Sequence, residues 1–338
     1  MGPSSSDIPD YPFPAEPPSS ERFEPHAPER FYVPSMPMAR PQDEPVVRYV
    51  VLFLLTVATT TIAGAVHHGG FRFDTRSGTP DFLSVAFYLP GLWYSLPILA
   101  ILGAHEFGHY LACRYYRVAA SLPYFLPAPP ILLTGTLGAF IRIRQPIPGK
   151  RALFDIGIAG PIAGFLVAIP VLFAGISLSQ VVPVPLDAPR GLELGEPLLF
   201  KGISWLVWGN VPDSMILNAH PMAFAAWFGL LATALNLFPI GQLDGGHICY
   251  AVLGRKSTFV TLATLVCLIG LTFVSNSWIV WTVVTLAMLL TFGPRHPRTV
   301  DEEIPLDRTR LWLAAFAVVM FALCFTPAPI SQLDLVGR

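Results

Sequence analysis

The chain has 338 residues, of which 53% are hydrophobic and only 13% carry a charge. Water-soluble domains carry about twice that charged fraction, and the mean hydropathy of +0.56 departs from them in the same direction. The composition therefore predicts a protein embedded in a lipid bilayer. The net charge of −1 gives no basis for nucleic-acid binding.

The first segment, residues 1–45, is rich in proline, with interspersed serine, glutamate and arginine and no apolar run. Such a composition cannot bury enough apolar surface to form a packed core. We expect a disordered, proline-rich cytoplasmic tail here. A transmembrane domain is expected to follow over residues 46–338.

Long uncharged segments follow the tail, and a helix of about 20 such residues spans a bilayer core of about 30 Å. The run at 257–294 is about twice that length and is interrupted by polar residues at 275–277, so it is assigned two spans. The sequence thus predicts an all-α polytopic membrane protein with about seven transmembrane helices. The predicted spans are 49–66, 82–104, 156–178, 221–242, two within 257–294, and 311–326.

The end of the second predicted span carries the pattern His-Glu-x-x-His, from His105 to His109. Residues four apart share one face of a helix, so both imidazoles can bind one metal ion while Glu106 lies beside it. The pattern predicts a zinc-activated water with Glu106 as its general base. Because these polar groups end an uncharged stretch, a bound dication would also offset their desolvation.

A catalytic zinc usually takes three protein ligands, so one more is needed. The best candidate is Asp244, which follows the fourth predicted span. Pro239 and Gly241 are expected to break that helix, and the glycine pair at 245–246 to free the backbone so that the carboxylate turns inward. His247 is the alternative, either as a ligand or as a group behind the ligands.

The two motifs together resemble those of the site-2 protease family of intramembrane zinc metalloproteases. The second motif reads Asn-x-x-Pro-x-x-x-Leu-Asp-Gly from Asn236, and the resemblance covers about residues 82–250. It implies a three-helix catalytic core and cleavage in or near a transmembrane helix of the substrate. It also implies one Zn²⁺ held by His105, His109 and Asp244, with Glu106 as the base and Asn236 near the substrate.

Residues 134–145 alternate in the manner of a strand. In the related proteases a re-entrant β element lies close to the site, and its edge could pair with an unwound substrate. The alternative is a surface hairpin that packs on its own protein, and the two have equal support. Small residues at 157–164 are predicted to pack the third span closely against the catalytic helices.

The expected partners are the bilayer and transmembrane protein substrates such as membrane-tethered regulators, with an adaptor protein as a further option. Most of the 21 Lys and Arg residues fall on the tail side of the predicted topology. This bias places the tail and the active site on the cytoplasmic side. The small number of domains suggests a prokaryotic source, so the expected membrane is a bacterial cell membrane.

Two other functions are weighed against proteolysis. A catalytically inactive scaffold that binds membrane helices is disfavoured by the intact Glu106. A zinc transporter is disfavoured because the sequence has one metal-binding cluster and no evident inverted repeat.

Overall fold

A computed structural model of the protein describes residues 45–72, 84–129, 132–183, 192–212, 214–293, 299, 301 and 303–332. The tail predicted over residues 1–45 lies outside this part of the chain, apart from Pro45.

The described part of the chain is mostly helical, as predicted. Its α-helices are α1 (Val46–Arg72), α2 (Val85–Tyr88), α3 (Leu92–Tyr115), α4 (Lys150–Ser177), α5 (Leu198–Trp208), α6 (Pro221–Asn236), α7 (Asp244–Leu253), α8 (Ser257–Leu271), α9 (Ser277–Phe292) and α10 (Arg308–Cys324).

Four helical segments in the described residues are long and apolar enough to cross a membrane: Val46–Gly69, Val85–Tyr115, Lys150–Ser177 and Asp244–Leu271. The prediction of a helical polytopic membrane protein agrees with this finding. Helices α6, α9 and α10 are shorter, at 16, 16 and 17 residues. The number of seven spans therefore stays a prediction.

The fourth predicted span ends earlier than expected. Helix α6 stops at Asn236, whereas the prediction continued to residue 242. Pro239 explains the difference, because proline lacks an N–H and disfavours helical geometry in the residue before it. A short irregular stretch follows, in which Gly241 adopts a positive φ of 48°, and α7 then begins at Asp244.

The largest buried cluster holds α4 and α6 together, with α5, α7 and α10 packed around them. Phe154 and Leu172 of α4, Trp227 and Leu230 of α6 and Met320 of α10 are almost completely buried in it. Helices α3 and α7 lie against α4, which places the ends of α3, α4 and α7 beside one another.

Three two-stranded sheets complete the described part. Strand β1 (Tyr124–Pro127) pairs antiparallel with β2 (Thr136–Phe140), and an isolated bridge joins Ala120 to Ile143. Strand β2 thus lies within the predicted range 134–145, whereas its partner β1 precedes that range. The re-entrant position in a membrane stays a prediction.

The other two sheets join β3 (Gln180–Pro183) to β5 (Met215–Asn218) and β4 (Leu192–Leu194) to β6 (Ile330–Gln332). Sequence analysis did not predict these sheets or α5. Apolar residues at positions 199, 200, 203 and 207, spaced three and four apart, were the available signal for that helix.

Candidate metal centre

The two histidines of α3 are buried and lie one above the other on the same helix face. Nδ1 of His109 lies 2.7 Å from the carbonyl oxygen of Ile156 in α4, and because that oxygen can only accept, the ring donates through Nδ1. The lone pair of His109 is therefore on Nε2, which lies 3.1 Å from Nε2 of His105. A second partner on the far ring nitrogen is the usual arrangement of a metal-binding histidine.

Asp244 approaches the histidines from the start of α7. Its Oδ2 atom lies 3.2 Å from Nε2 of His105 and 3.3 Å from Nε2 of His109. The first residue of a helix is a favourable place for a carboxylate, because the helix dipole is positive there. The structure thus brings the three predicted ligands together from two parts of the sequence more than 130 residues apart.

The three ligand atoms have the spacing that a tetrahedral zinc requires. Zinc binds His nitrogen and carboxylate oxygen at about 2.0–2.2 Å, which places neighbouring ligands about 3.3 Å apart in a tetrahedron. The observed separations are 3.1, 3.2 and 3.3 Å. Electron-pair donors that converge in a buried place repel one another without a cation between them, so the cluster is compatible with one zinc ion.

Glycines of α4 make room for the ligand side chains. A methyl group at Gly160 would overlap the imidazole of His109, and one at Gly164 would lie 3.1 Å from Cβ of His105. A methyl group at Gly108 of α3 would likewise lie only 2.5 Å from the carbonyl oxygen of Ala159 in α4. The predicted close packing is confirmed. Sequence reasoning did not anticipate that Gly160 accommodates a ligand ring.

The glycine pair after Asp244 has a different role from the predicted one. Gly245 and Gly246 are buried within α7, so they do not loosen the backbone. A methyl group on either would overlap a backbone carbonyl oxygen, that of Leu237 or that of Gly241. The pair is needed for close approach, which brings the start of α7 and its carboxylate against the end of α6.

Glu106 and Asn236 complete the site. Glu106 is buried, interacts electrostatically with His109 and Asp244, and accepts a hydrogen bond from the backbone N–H of Ile141. Nδ2 of Asn236, the last residue of α6, lies 3.2 Å from Nε2 of His105. Both side chains therefore lie beside the three candidate ligands, while their predicted roles stay predictions.

A cavity of about 280 Å³ opens onto this site. Its wall is mostly apolar, and it comes from α3, β2, α6, α8 and α9. Its polar lining residues include His105, Glu106 and Asn236. The cavity can hold a short stretch of apolar chain with its backbone near those three residues.

His247 lies outside the ligand cluster. Among the described residues, His105, His109 and Asp244 form the group whose ligand atoms all lie within 4.8 Å of one another. His247 is three residues further along α7, where its Cβ packs 3.1 Å from the position that a Cβ on Gly157 would take. Its predicted role as a group behind the ligands stays a prediction.

Fold and site together define a helical membrane protein with a metal centre of two histidines and one carboxylate, beside a further buried glutamate. Residues 93–275, more than half of the chain, match the family model described as Peptidase family M50. The chain belongs to this family. The match confirms the resemblance to the site-2 proteases.

The following relatives are plant proteins. The probable zinc metalloprotease EGY2, chloroplastic, of Oryza sativa subsp. indica is 30% identical over 259 residues, which cover 72% of this chain and 45% of the relative. The Arabidopsis thaliana EGY2 protein is 30% identical over 65% of this chain and 38% of its own length. The EGY1 protein of Oryza sativa subsp. japonica is 30% identical over 77% of this chain and 48% of its own length. The chain spans under half the length of these relatives, and no solved structure matches it.

The expected bacterial cell membrane is wrong by this comparison, because these relatives are named as chloroplastic. Composition and Lys/Arg bias cannot distinguish the two membranes, since both are lipid bilayers with the same hydrophobic requirement. The cytoplasmic assignment of the tail and the active site was made for the bacterial membrane and falls with it.

Proposed function

We propose that the chain is an intramembrane zinc endopeptidase that hydrolyses peptide bonds in or near transmembrane helices of other proteins. The observation that carries the proposal is the meeting of His105, His109 and Asp244 at tetrahedral spacing, with Glu106 beside His105 on the wall of an apolar cavity. A scaffold would not need the buried carboxylate of Glu106. A transporter would need further ion sites, whereas this cluster is the one found in the described residues.

Each site residue receives one role in this proposal. His105, His109 and Asp244 hold the metal. When bound, zinc supplies a Lewis acid that polarises the scissile carbonyl and acidifies water. Glu106 takes the proton of the attacking water and passes it to the leaving amine nitrogen. Asn236, beside His105, holds the substrate backbone through its side-chain amide.

A helical substrate must unwind before attack, because its peptide bonds are shielded by their own hydrogen bonds. Residues 137–139 of β2 line the cavity, and in the described residues β2 pairs only with β1. Its other edge is therefore available to an extended chain, which supports the strand-pairing interpretation of the hairpin. The hydrogen bond from the backbone N–H of Ile141, the residue after β2, to Glu106 supports a position of the substrate chain near the proposed base.

The wider organisation is part of the same proposal. Residues 46–338 form the transmembrane metalloprotease domain, with about seven spans and its catalytic core in 82–250, and the proline-rich residues 1–45 precede it. The partners are transmembrane protein substrates in a bilayer, with an adaptor protein as an additional component. The names of the relatives favour a chloroplast membrane.

A reconstituted assay tests the activity. The purified chain in liposomes is mixed with a panel of single-span membrane proteins, with and without a zinc chelator. We expect cleavage within or beside a transmembrane segment, loss of cleavage on chelation, and recovery when Zn²⁺ is returned. Cleavage that continues when the zinc content has fallen below about 0.1 equivalent per chain would refute the zinc mechanism.

A further inference from the structure

A group of polar side chains lies beyond the metal centre, where α3 ends and α4 and α10 begin. Arg310 of α10 forms two hydrogen bonds with Asp155 of α4, 2.9 Å from Nε to Oδ1 and 2.5 Å from Nη2 to Oδ2. The hydroxyl of Tyr116, the C-cap of α3, donates to Oδ2 of Asp155 and accepts from Nη2 of Arg310 at 3.2 Å. The three residues therefore join three helices at one point.

The geometry of this network is restrained. A two-pronged guanidinium–carboxylate pair fixes the relative orientation of its partners, unlike a pair with a single contact. Asp307, the N-cap of α10, binds Nη1 of Arg310 and so holds the arginine side chain from its own helix. The side chains of Arg310 and Asp155 are only 21% and 25% exposed.

Tyr116 stays protonated in this setting. Burial, followed by the hydrogen bond to Asp155, raises the pKa of Tyr116 above its usual value of about 10. At neutral pH the hydroxyl is therefore the donor in the hydrogen bond to Asp155.

One residue of the network, Asp155, is the chain neighbour of the residue that contacts the ligand His109. Asp155 directly precedes Ile156, whose carbonyl oxygen accepts the hydrogen bond from Nδ1 of His109. Tyr116 lies two turns beyond His109 at the end of the same helix. The hydrogen bond to the ligand and the contact from Tyr116 to Asp155 therefore both fix α3 against the first turns of α4.

We propose that Arg310, Asp155 and Tyr116 form a positioning network that holds the Ile156 carbonyl against Nδ1 of His109 and thereby sets the orientation of a zinc ligand. The proposal rests on the proposed function, since it needs His109 to bind the metal. None of the three residues touches the substrate or the reacting atoms. Through Arg310, α10 influences the geometry of the metal site.

Zinc affinity and a cobalt spectrum test the proposal. The full chain is purified in detergent, its metal is removed, and Zn²⁺ binding is measured by competition with a chelating dye. Groups behind a ligand typically contribute 10–100-fold to metal affinity, and Asp155 acts one step further out. We expect Asp155→Asn to weaken zinc binding about 10-fold. We also expect it to shift the visible absorption bands of the Co²⁺-loaded protein, because the imidazole changes its angle.

Two further variants keep the test sharp. Tyr116→Phe removes one hydroxyl and leaves the ion pair intact, so it should fold and weaken zinc binding by about threefold, within the range for one hydrogen bond. The exchange Asp155→Arg with Arg310→Asp restores an ion pair of opposite sense and should recover part of the affinity lost in Asp155→Asn.

Arg308→Gln is the matched control, since Arg308 is an exposed arginine in the same first turn of α10. It should leave the zinc affinity and the cobalt spectrum unchanged. A merely structural network would lower the unfolding temperature of the metal-free protein in the Asp155 and Tyr116 variants while both metal readouts stayed at wild-type values. That result would overturn the proposal.

The test separates the proposal from the proposed function. Loss of zinc in His109→Ala with normal zinc binding in all network variants would refute the positioning role alone. Absence of zinc binding in the wild-type chain, or full binding in His109→Ala, would refute the metal site and the positioning role with it.

Discussion

Two apolar regions of this protein are built in opposite ways. Around the metal ligands, α3 and α4 approach so closely that methyl groups at Gly108 and Gly160 would overlap the facing helix or the His109 ring. In the pair α8 and α9, large side chains such as Phe259, Val280 and Leu290 are 75%, 63% and 80% exposed. A methyl group at Gly270 of α8 would meet nothing within 4 Å.

The difference shows what each region contributes. In a bilayer, apolar side chains gain little by leaving lipid for protein, so helix association depends on close backbone contact and polar groups. The α3–α4 contact has both, since the small residues allow close approach and His109 is hydrogen-bonded to the Ile156 carbonyl across it. In α8 and α9 the outward side chains do not affect the positions of the metal ligands. These helices contribute to the site through the few residues that line the cavity.

The largest expected effect is that of Glu106→Gln. Removal of a general base typically lowers the rate by about 10²–10⁴-fold, so cleavage in the liposome assay should become undetectable. The zinc content should stay at about one equivalent per chain. His105→Ala, His109→Ala and Asp244→Ala should lose both zinc and activity. Full activity of the Glu106→Gln protein would exclude the mechanism.

Gly160→Ala should have nearly as large an effect, because the added methyl group occupies the space of the His109 ring. We expect zinc content to fall below about a tenth of the wild-type value, as for loss of a group that orients a ligand. Gly270→Ala, a glycine in an open helix position, is the matched control. It should retain zinc and gain up to about 1 kcal/mol of stability. Equal zinc content in the two variants would contradict the described packing.

Asn236→Ala should reduce cleavage by about 10-fold, the value of one substrate hydrogen bond, with zinc content unchanged. Asn276→Ala is its control, since Asn276 precedes α9 and makes no side-chain cap hydrogen bond there. Initial rates over a range of substrate concentrations separate the effects. A loss of zinc in Asn236→Ala would show that this residue supports the metal site and not the substrate.

The smallest effect is expected at Asp301, whose Oδ1 accepts a hydrogen bond from the backbone N–H of Lys150 at the start of α4 at 2.6 Å. Asp301→Ala should destabilise the protein by about 1 kcal/mol, as for loss of a helix cap, and Asp301→Asn should keep most of that stability. Thermal unfolding in detergent measures both. An unchanged unfolding temperature in Asp301→Ala would show that the cap is dispensable.

Local chemistry made much of this molecule predictable. The spacing of His105 and His109 already places them on one helix face, and proline at 239 already ends the helix before it. Long uncharged runs already require burial in lipid. These inferences depend on periodicity and backbone restriction, which act over a few residues.

Other features depend on parts of the chain that are far apart in sequence. The closeness of α7 to α6 gives the pair at 245–246 its role, and no local pattern separates a glycine that loosens a turn from one that permits contact. Helix α5 and the small two-stranded sheets depend on packing and strand pairing with elements that are distant in the sequence. The side chains of Arg310 and Asp155 meet across 155 residues of chain, so their connection to a ligand was invisible in the sequence.

The sequence by itself determined the membrane setting, the metal-binding helix, the family resemblance and the identity of the ligand set that this resemblance implied. Only the tertiary structure decided that the three ligand atoms lie 3.1–3.3 Å apart, which glycines make that possible, and which distant groups hold the ligands in place. The physical reason is that ligand geometry depends on distances between helices. Those distances are set by packing across the whole bundle, to which every helix contributes.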